Sequence, residues 1–491
     1  MIKYLKKFNE EPLEKVVFFL AVIYIITISL GQLNTYIISE QLALAINLEK
    51  YGTLYNTTYI KDINHFASYF PGSAYLIFLF RKIIPDFFLY ETLLIFSSLI
   101  VVFFFYLLKK ISEEIIPKAF QATNYWLVAI MFTLLLCKNW LLYATHFKAD
   151  TLAFSLIIFS FFISKVYKKN YDLNYWKIIL SLLVFAFGIS VKQQAVFVIP
   201  ALIFFSLFNK NILFKFYTCL TIILVSIILM YFHSNENLWL HTVSKYGDTE
   251  SQTVIMSFNI FLTRYLKEII FLIIFIFFLF LCEKLKFCKI NFLNKFKYLI
   301  KIVRSSFWIY IISFFSITGL LSAINYGGNS ANSQLAIILI FPIFYFFIYE
   351  FKKKPLILII LLLFLLESKT ILKSLYYYIE AKKFQIEIKK EIVGNNLKIL
   401  SEKHTYFAIF NLEKNHKIES LNTFNTINKY ITKKISVDTN GNADKKELLE
   451  QVLNKNYDFV ILSHDIDNMK IIKKQYQLII SNKFGNVYKK I

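Results

Sequence analysis

The sequence predicts a mainly α-helical, polytopic membrane protein with about eleven transmembrane helices, followed by a small extracytoplasmic α/β domain. Of its 491 residues, 57% are hydrophobic and 19% aromatic, and a mean hydropathy of +0.54 excludes a soluble protein. Apolar runs such as 16–30 and 89–108 approach the roughly 20 residues that cross a bilayer. After residue 380 polar and apolar residues alternate, which indicates a folded domain outside the membrane.

We therefore predict a transmembrane domain at 1–371, with a first outer loop at 34–87, and the α/β domain at 372–491. The patch 69–80 could be a twelfth span, but that would move the lysine-rich loops to the outer side, so we interpret it as a juxtamembrane helix. The predicted spans are 16–33, 88–108, 124–143, 151–167, 176–191, 194–208, 216–233, 266–282, 307–324, 335–351 and 355–371.

The net charge of +23, from 55 basic and 32 acidic residues, predicts the orientation of the chain in the membrane. With the N-terminus in the cytoplasm, most lysine-rich loops, 284–304 among them, face inward, as the positive-inside rule requires. An odd number of spans then places the C-terminal domain outside. We expect the basic loops to meet anionic membrane lipids and not nucleic acid. The four cysteines lie in or beside apolar runs and predict no disulfide framework.

The outer segments carry weaker secondary-structure signals. In the first loop, Ser39 can cap and Gly52 can end a short helix with Leu42, Ala45 and Ile46 on one face, typical of a segment lying on the membrane. In the tail, alternation predicts strands at 406–410, 459–462 and 477–480, and a helix at 445–454. No Walker loop and no CxxC spacing is present in the sequence.

Charged residues at membrane edges are costly, so their positions suggest a functional site. The charged residues and histidines of this kind all lie on the predicted outer side and cluster near the outer ends of spans, as a site open to the exterior requires. They are Glu40, Asp62, Lys138, His146, Lys148, Asp150, Lys192, His241 and Arg264.

The order of several short motifs resembles that of the GT-C membrane glycosyltransferases, in the bacterial branch of protein O-mannosyltransferases and lipid A aminoarabinose transferases. The motifs are Glu40 opening an apolar helix, the Pro71-Gly72 segment after Tyr69, the run 146–152 with Asp150, and Lys192 before Pro200. This resemblance covers most of residues 1–210. It implies a bacterial cytoplasmic-membrane enzyme that transfers a sugar from a polyprenyl-phosphate-linked donor to an envelope glycan or lipid acceptor at the outer face.

The sequence departs from the family pattern in the first outer loop. The usual acidic pair is Ser39-Glu40 here, so Glu40 takes the role of the base, or Asp62 does, or this member transfers nothing and serves as a scaffold. A transporter or flippase of lipid-linked saccharides and a glycan polymerase are the rival functions. The sequence shows no inverted repeat of the kind that transporters carry and no large outer loop between late spans.

The resemblance also implies roles for individual residues. Glu40 would deprotonate the acceptor hydroxyl, and Asp150 would orient the acceptor or a divalent ion, the one cofactor considered. The leaving phosphate would meet Lys192, Lys148 and His146. Asp62 completes the predicted substrate contacts. Apart from the resemblance, Arg264 is one of only three arginines and lies on the predicted outer side against the charge rule, which suggests a bidentate phosphate contact. Structural roles would explain the same residues: a helix-dipole partner for Glu40, an N-cap for Asp150 and snorkelling for Lys148.

Overall fold

The structure is a computed structural model of the whole chain. It describes residues 10–33, 36–52, 71–116, 124–168, 174–234, 270, 306–324, 330–348, 352–402, 405–412, 415–421, 457–462 and 475–491. The predicted span 266–282 and the predicted helix 445–454 lie outside the described residues, apart from residue 270, which is helical.

The described part of the chain is dominated by apolar helices, as the composition predicts. Their bounds are α1 Glu10–Leu30, α2 Tyr36–Tyr51, α3 Gly72–Ile83, α4 Leu89–Ile115, α5 Tyr125–Leu136, α6 Lys138–Ala144, α7 Ala149–Ser164, α8 Tyr175–Val191, α9 Val198–Phe208, α10 Ile212–Ser234, α11 Phe307–Ile324, α12 Ser330–Leu339, α13 Phe341–Ile348 and α14 Lys353–Glu391. Short 3-10 turns at Asp86–Phe88 and Gln193–Phe197 lead into α4 and α9.

Four described helices are long and apolar enough to cross a membrane, namely α1, α4, α10 and α14, and the pair α5 and α6 would make a fifth. Shorter apolar helices follow α6 and include α7, α8 and α9. The chain is therefore a multi-pass helical membrane protein. The number of about eleven spans stays a prediction.

The predicted third span, 124–143, is not one continuous helix. It bends by 99° between α5 and α6, at Cys137. The backbone N–H of Trp140 donates to Gln334 Oε1 at 2.8 Å, so a side chain of α12 replaces an intrahelical acceptor at the break. Because that contact comes from residues almost two hundred positions away, the apolar run alone could not predict the bend.

Helix α2, in the predicted first outer loop, ends where the sequence predicts and begins earlier. Gly52, with φ of +69°, follows its last residue in the left-handed conformation that glycine adopts readily. The helix starts at Tyr36, so the prediction of Ser39 as its cap is wrong. Leu42 and Ala45 are fully buried where α2 packs against α3, so the predicted membrane-facing side contacts protein instead.

The C-terminal region forms a five-stranded mixed sheet. Its strands are β1 Lys398–Glu402, β2 Lys417–Leu421, β3 Phe459–Leu462, β4 Tyr476–Asn482 and β5 Gly485–Lys490, in the order β2-β1-β3-β5-β4. Strand β1 pairs in parallel with β2 and β3, whereas β5 is antiparallel to β3 and β4. The strands predicted at 459–462 and 477–480 are confirmed.

The strand predicted at 406–410 is wrong. This segment forms 3-10 turns at Tyr406–Ala408 and Phe410–Leu412, held by backbone bonds such as Ala408 N–H to Thr405 C=O at 3.0 Å. Four successive side chains, 407–410, are buried, whereas a strand with one buried face would alternate. The prediction failed because these apolar residues are buried in the core as part of 3-10 turns and not as one face of a strand.

Two compact units make up the structure. The first comprises Met1–Ile28, Ile95–Ser234 and Asp248–Leu372, and the second comprises Ser29–Leu94, Asn235–Gly247 and Lys373–Ile491. The division of the chain into domains 1–371 and 372–491 stays a prediction.

Candidate functional site

Asp150 occupies the first turn of α7, where four backbone N–H groups have no intrahelical acceptor. Lys148 is the N-cap and makes no side-chain cap hydrogen bond, so Asp150 is not the N-cap of this helix. A carboxylate in the first turn is stabilised by the helix dipole. This position places a negative charge at the α7 end of the cluster described next.

Lys192 meets Asp150 from the end of the neighbouring helix. Its Nζ lies 3.5 Å from Asp150 Oδ1. Helix α8 ends at Val191, and Lys192 adopts an extended backbone that turns the chain away from the helix. Gly188 allows the approach of the two helices, because a Cβ there would lie 2.9 Å from Ile157 Cγ1 and 3.2 Å from the Ala153 carbonyl oxygen.

Lys148 completes a cluster of three charged side chains. Its Nζ lies 3.7 Å from Asp150 Oδ2 and 5.7 Å from the centre of the Tyr143 ring. The ring of Tyr143 also lies 5.9 Å from that of His146. Between His146 and Lys148, Phe147 has φ of +60°, an uncommon conformation for a bulky residue, and it forms the tight turn between α6 and α7.

The cluster is buried inside protein. The side chains of Asp150, Lys192 and Lys148 are 8%, 6% and 10% exposed. A snorkelling lysine would extend to the surface, so snorkelling does not explain Lys148. Charges taken out of water cost several kcal/mol each even when they are paired, so roughly that much stabilisation must come from their partners.

Several polar atoms around the charged cluster have no hydrogen-bond partner among the described residues. They are His146 Nε2, Asp150 Oδ2, Thr151 Oγ1, Ser155 Oγ and Gln194 Oε1, all of which are buried. An unsatisfied buried polar group costs about 1–3 kcal/mol. Such atoms gathered around one ion cluster indicate a place where a polar ligand binds.

The arrangement suits two chemical roles, stabilisation of a phosphate by the lysines and positioning of these lysines by Asp150. The two ammonium groups beside one carboxylate can stabilise a phosphate whose charge grows as a bond to it breaks. Asp150 has an ammonium within 3.7 Å of each oxygen, so its charge is already compensated, and it is better suited to hold these lysines in place than to bind a further cation.

The structure brings four of the seven predicted site residues together, namely Asp150, Lys192, Lys148 and His146. Asp62 and Arg264 lie outside the described residues. The backbone of Glu40 lies in the second turn of α2, four residues after its start, so a position at the N-terminus of that helix does not explain Glu40. Its side chain is not among those described.

Sequence reasoning missed other charged groups. Glu367, inside the predicted last span, accepts two hydrogen bonds from Lys138, and Glu91 forms an ion pair with Lys382. Arg81 is buried against Glu49 and Asp86, so it is an internal ion-pair partner. The sequence could have indicated the ion pair of Glu367, because a carboxylate within an apolar run needs a partner.

The described residues contain no group of three or more histidine, cysteine, aspartate or glutamate side chains that could hold a metal ion. Asp62, His65 and His241 lie outside that part of the chain. The divalent ion considered from the sequence stays a prediction.

No protein-family model matches the sequence, and neither does any curated protein sequence. Among solved structures, the chain is similar to the crystal structure of ArnT from Cupriavidus metallidurans bound to undecaprenyl phosphate, over 97% of this chain and 98% of that one, with a TM-score of 0.49 and 8% identity. The apo form of the same protein gives a TM-score of 0.46 and 9% identity over 97% of each chain.

Proposed function

We propose that the protein is an integral-membrane glycosyltransferase that moves a sugar from a polyprenyl-phosphate-linked donor to an envelope glycan or lipid acceptor at the outer face of the bacterial cytoplasmic membrane. The observation that carries this proposal is the buried cluster of Asp150, Lys192 and Lys148, surrounded by polar atoms that lack partners among the described residues. A phosphate group and a sugar are the two chemistries that such a cluster suits. The order of sequence motifs around it supports the same reaction.

In this reaction the oxygen of an acceptor hydroxyl forms a bond to C1 of the donor sugar. The bond between C1 and the phosphate oxygen breaks, and the lipid phosphate leaves with the electron pair. Lys192 and Lys148 stabilise the negative charge that develops on the phosphate, and His146 contributes a polar contact. The hydroxyl proton moves to a carboxylate.

That carboxylate is Glu40 in our proposal. Asp150 is compensated by two ammonium groups, so it serves as the positioning residue that holds them. Glu40 lies in the first outer loop, where the family carries its acidic residue. Asp62 is the alternative base and otherwise a substrate contact, and Arg264 is a further phosphate ligand.

The orientation of the chain follows from its charge distribution. The N-terminus lies in the cytoplasm, and the mixed sheet of the C-terminal region lies outside, where it assists acceptor binding. A site at the outer end of the spans then meets lipid-linked sugars displayed on that side.

Purified protein in lipid nanodiscs, incubated with radiolabelled polyprenyl-phosphate sugars and an extract of envelope glycans and lipids, tests the proposal. We expect the label to move to a water-soluble glycan or an acceptor lipid in the presence of wild-type protein, and a double variant Lys192→Met/Lys148→Met to lose this transfer. Replacing both lysines removes the two charges that the leaving phosphate needs.

Two other outcomes would contradict the proposal. Protein-dependent movement of the labelled lipid across liposome membranes, without transfer, would show a flippase. Neither transfer nor movement, by protein whose folding is confirmed by its melting transition, would show the scaffold.

A further inference from the structure

Two hydroxyl groups beside Asp150 behave differently from the other buried hydroxyls of the described helices. Thr151 and Ser155 are each 1% exposed, and neither oxygen has a hydrogen-bond partner among the described residues. They are four positions apart on α7, so they lie one turn apart on the same helix face.

Buried serine and threonine residues of an apolar helix normally donate to a backbone carbonyl three or four residues earlier. The described helices of this chain follow that rule at eight other buried positions: Ser112, Thr133, Ser160, Ser164, Thr218, Thr221, Ser316 and Thr318. Ser155 could donate to the carbonyl of Thr151 in the same way and does not. Its hydroxyl is therefore available to a ligand.

The face that carries this hydroxyl pair points into protein. On α7, the ring centre of Phe154 lies 4.4 Å from that of Phe315 in a tilted arrangement, and Phe162 stacks on Trp308 at 4.5 Å. Phe315 and Trp308 both belong to α11. Phe162 shares the face of Ser155, because it lies seven residues further along the helix. The hydroxyl pair therefore lies on the outer part of an inward-facing surface, next to the charged cluster and away from lipid.

The elements that flank Asp150 add two neutral polar atoms. His146 Nε2 belongs to the turn before α7, and Gln194 Oε1 belongs to the 3-10 turn after Lys192, which packs against α7. Neutral donors and acceptors of this kind match the hydroxyl groups of a sugar. The ammonium groups match a phosphate, so the site offers both charged and neutral polar groups.

We infer that Thr151 and Ser155 bind hydroxyl groups of the donor sugar and that this sugar is neutral and polyhydroxylated. The inference rests on the proposed function and names the class of sugar. A cationic amino sugar would meet a carboxylate that two ammonium groups already compensate. A site that hydrogen-bonds a substrate hydroxyl discriminates strongly against a sugar lacking it, because the protein groups are then left unsatisfied.

Ligand-induced thermal stabilisation tests this inference without requiring transfer. The probes are a short polyprenyl phosphate, the same lipid carrying mannose, its singly deoxygenated analogues, and the same lipid carrying 4-amino-4-deoxyarabinose. We expect mannose to raise affinity over the bare lipid phosphate, and Ser155→Ala and Thr151→Val each to reduce that gain about tenfold. One deoxy analogue should bind Ser155→Ala and wild type equally.

Ser160→Ala is the matched control. Ser160 lies on the same helix and is fully buried, but its hydroxyl donates to Ile157 C=O at 2.7 Å. We expect this variant to lose stability and to keep the affinity for the sugar. Ser155→Ala should melt no lower than wild type, because it removes a hydroxyl that has no protein partner among the described residues.

The outcomes separate this inference from the proposed function. Sugar-dependent stabilisation that Ser155→Ala abolishes, in a protein that transfers nothing, would support the hydroxyl contacts and contradict the enzyme. Transfer by wild type, with equal affinities in Ser155→Ala, Thr151→Val and wild type, would overturn the inference and leave the enzyme. A preference for the amino sugar over mannose would overturn the assigned sugar class.

Discussion

Two lysine–carboxylate pairs in the first compact unit differ in their burial and in how completely their polar atoms are hydrogen-bonded. Lys138 Nζ donates to both oxygens of Glu367, at 2.7 and 2.6 Å, although its side chain is 43% exposed. Tyr24 Oη donates to the same carboxylate at 3.3 Å. Lys192 is only 6% exposed, yet its distance to Asp150 is 3.5 Å, and Asp150 Oδ2 accepts no hydrogen bond from a described residue.

In the Lys138–Glu367 pair, both carboxylate oxygens accept hydrogen bonds from side chains of the protein. This pair links α1, α14 and the break between α5 and α6, so its role is to hold a bent span in place. In the Asp150–Lys192 pair, Asp150 Oδ2 can still accept a hydrogen bond, although an unsatisfied polar group costs most free energy when it is buried. The more deeply buried pair is therefore the less completely hydrogen-bonded one.

Asp150 and Glu367 are both paired with lysines, so neither is suited to take the proton from the acceptor hydroxyl. We therefore expect the greatest loss of activity when the proposed base, Glu40, is changed. We expect Glu40→Gln to reduce the transfer rate by about 10²–10⁴-fold, the usual contribution of a general base, while leaving the melting temperature unchanged. Single-turnover transfer with saturating labelled donor, together with the melting transition, measures both.

Asp62→Asn serves as the comparison variant for Glu40. Full activity of Glu40→Gln with loss in Asp62→Asn would move the base to Asp62. Loss in both variants with normal donor binding would mean that the two carboxylates act together.

Neutral substitutions of the two paired carboxylates, Asp150 and Glu367, test whether the two pairs have different roles. We expect Asp150→Asn to lower kcat/KM about 100-fold, because it removes the charge that positions Lys192 and Lys148, whereas Glu367→Gln should keep kcat/KM within about twofold. Glu367→Gln should instead lower the free energy of unfolding by about 1–2 kcal/mol, a moderate value because Lys138 is partly exposed to solvent. Initial rates and denaturant unfolding of both variants measure these effects.

A reversal of this pattern would contradict our assignment. If Glu367→Gln lost transfer while Asp150→Asn retained it, the tightly bonded pair would be the functional one. The rates should be compared below the melting temperature of the less stable variant, so that unfolding does not imitate loss of catalysis.

The meeting of Asp150 and Lys192 depends only on local features of the chain. Helices α7 and α8 are consecutive and joined by a short connection, so the start of one and the end of the other lie at the same end of the pair. The helices themselves follow from apolar runs. The charged residues stand out because a charge beside such a run is costly.

The remaining features depend on contacts between distant parts of the chain. The bend at Cys137 requires Gln334, and the role of Lys138 requires Glu367. The lack of a described hydrogen-bond partner for the Ser155 hydroxyl depends on its three-dimensional surroundings, which residue type does not reveal. Strand prediction failed at 406–410 for the same reason, since burial of consecutive residues there comes from tertiary packing.

A substitution at Gly188 tests whether the spacing of α7 and α8 sets the 3.5 Å distance between Lys192 Nζ and Asp150 Oδ1. We expect a smaller effect here than from the carboxylate variants. Gly188→Ala would place a Cβ 2.9 Å from Ile157 Cγ1 and 3.2 Å from the Ala153 carbonyl oxygen, so α7 and α8 must move apart by a few tenths of an ångström. We expect about 1–2 kcal/mol of lost stability from this overpacking and about a tenfold lower kcat/KM, because Lys192 moves with the end of α8. Leu183→Ala, on the exposed face of α8, is the control and should leave kcat/KM unchanged. Equal activity of Gly188→Ala and wild type, despite the lost stability, would show that the geometry of the pair does not depend on this close approach.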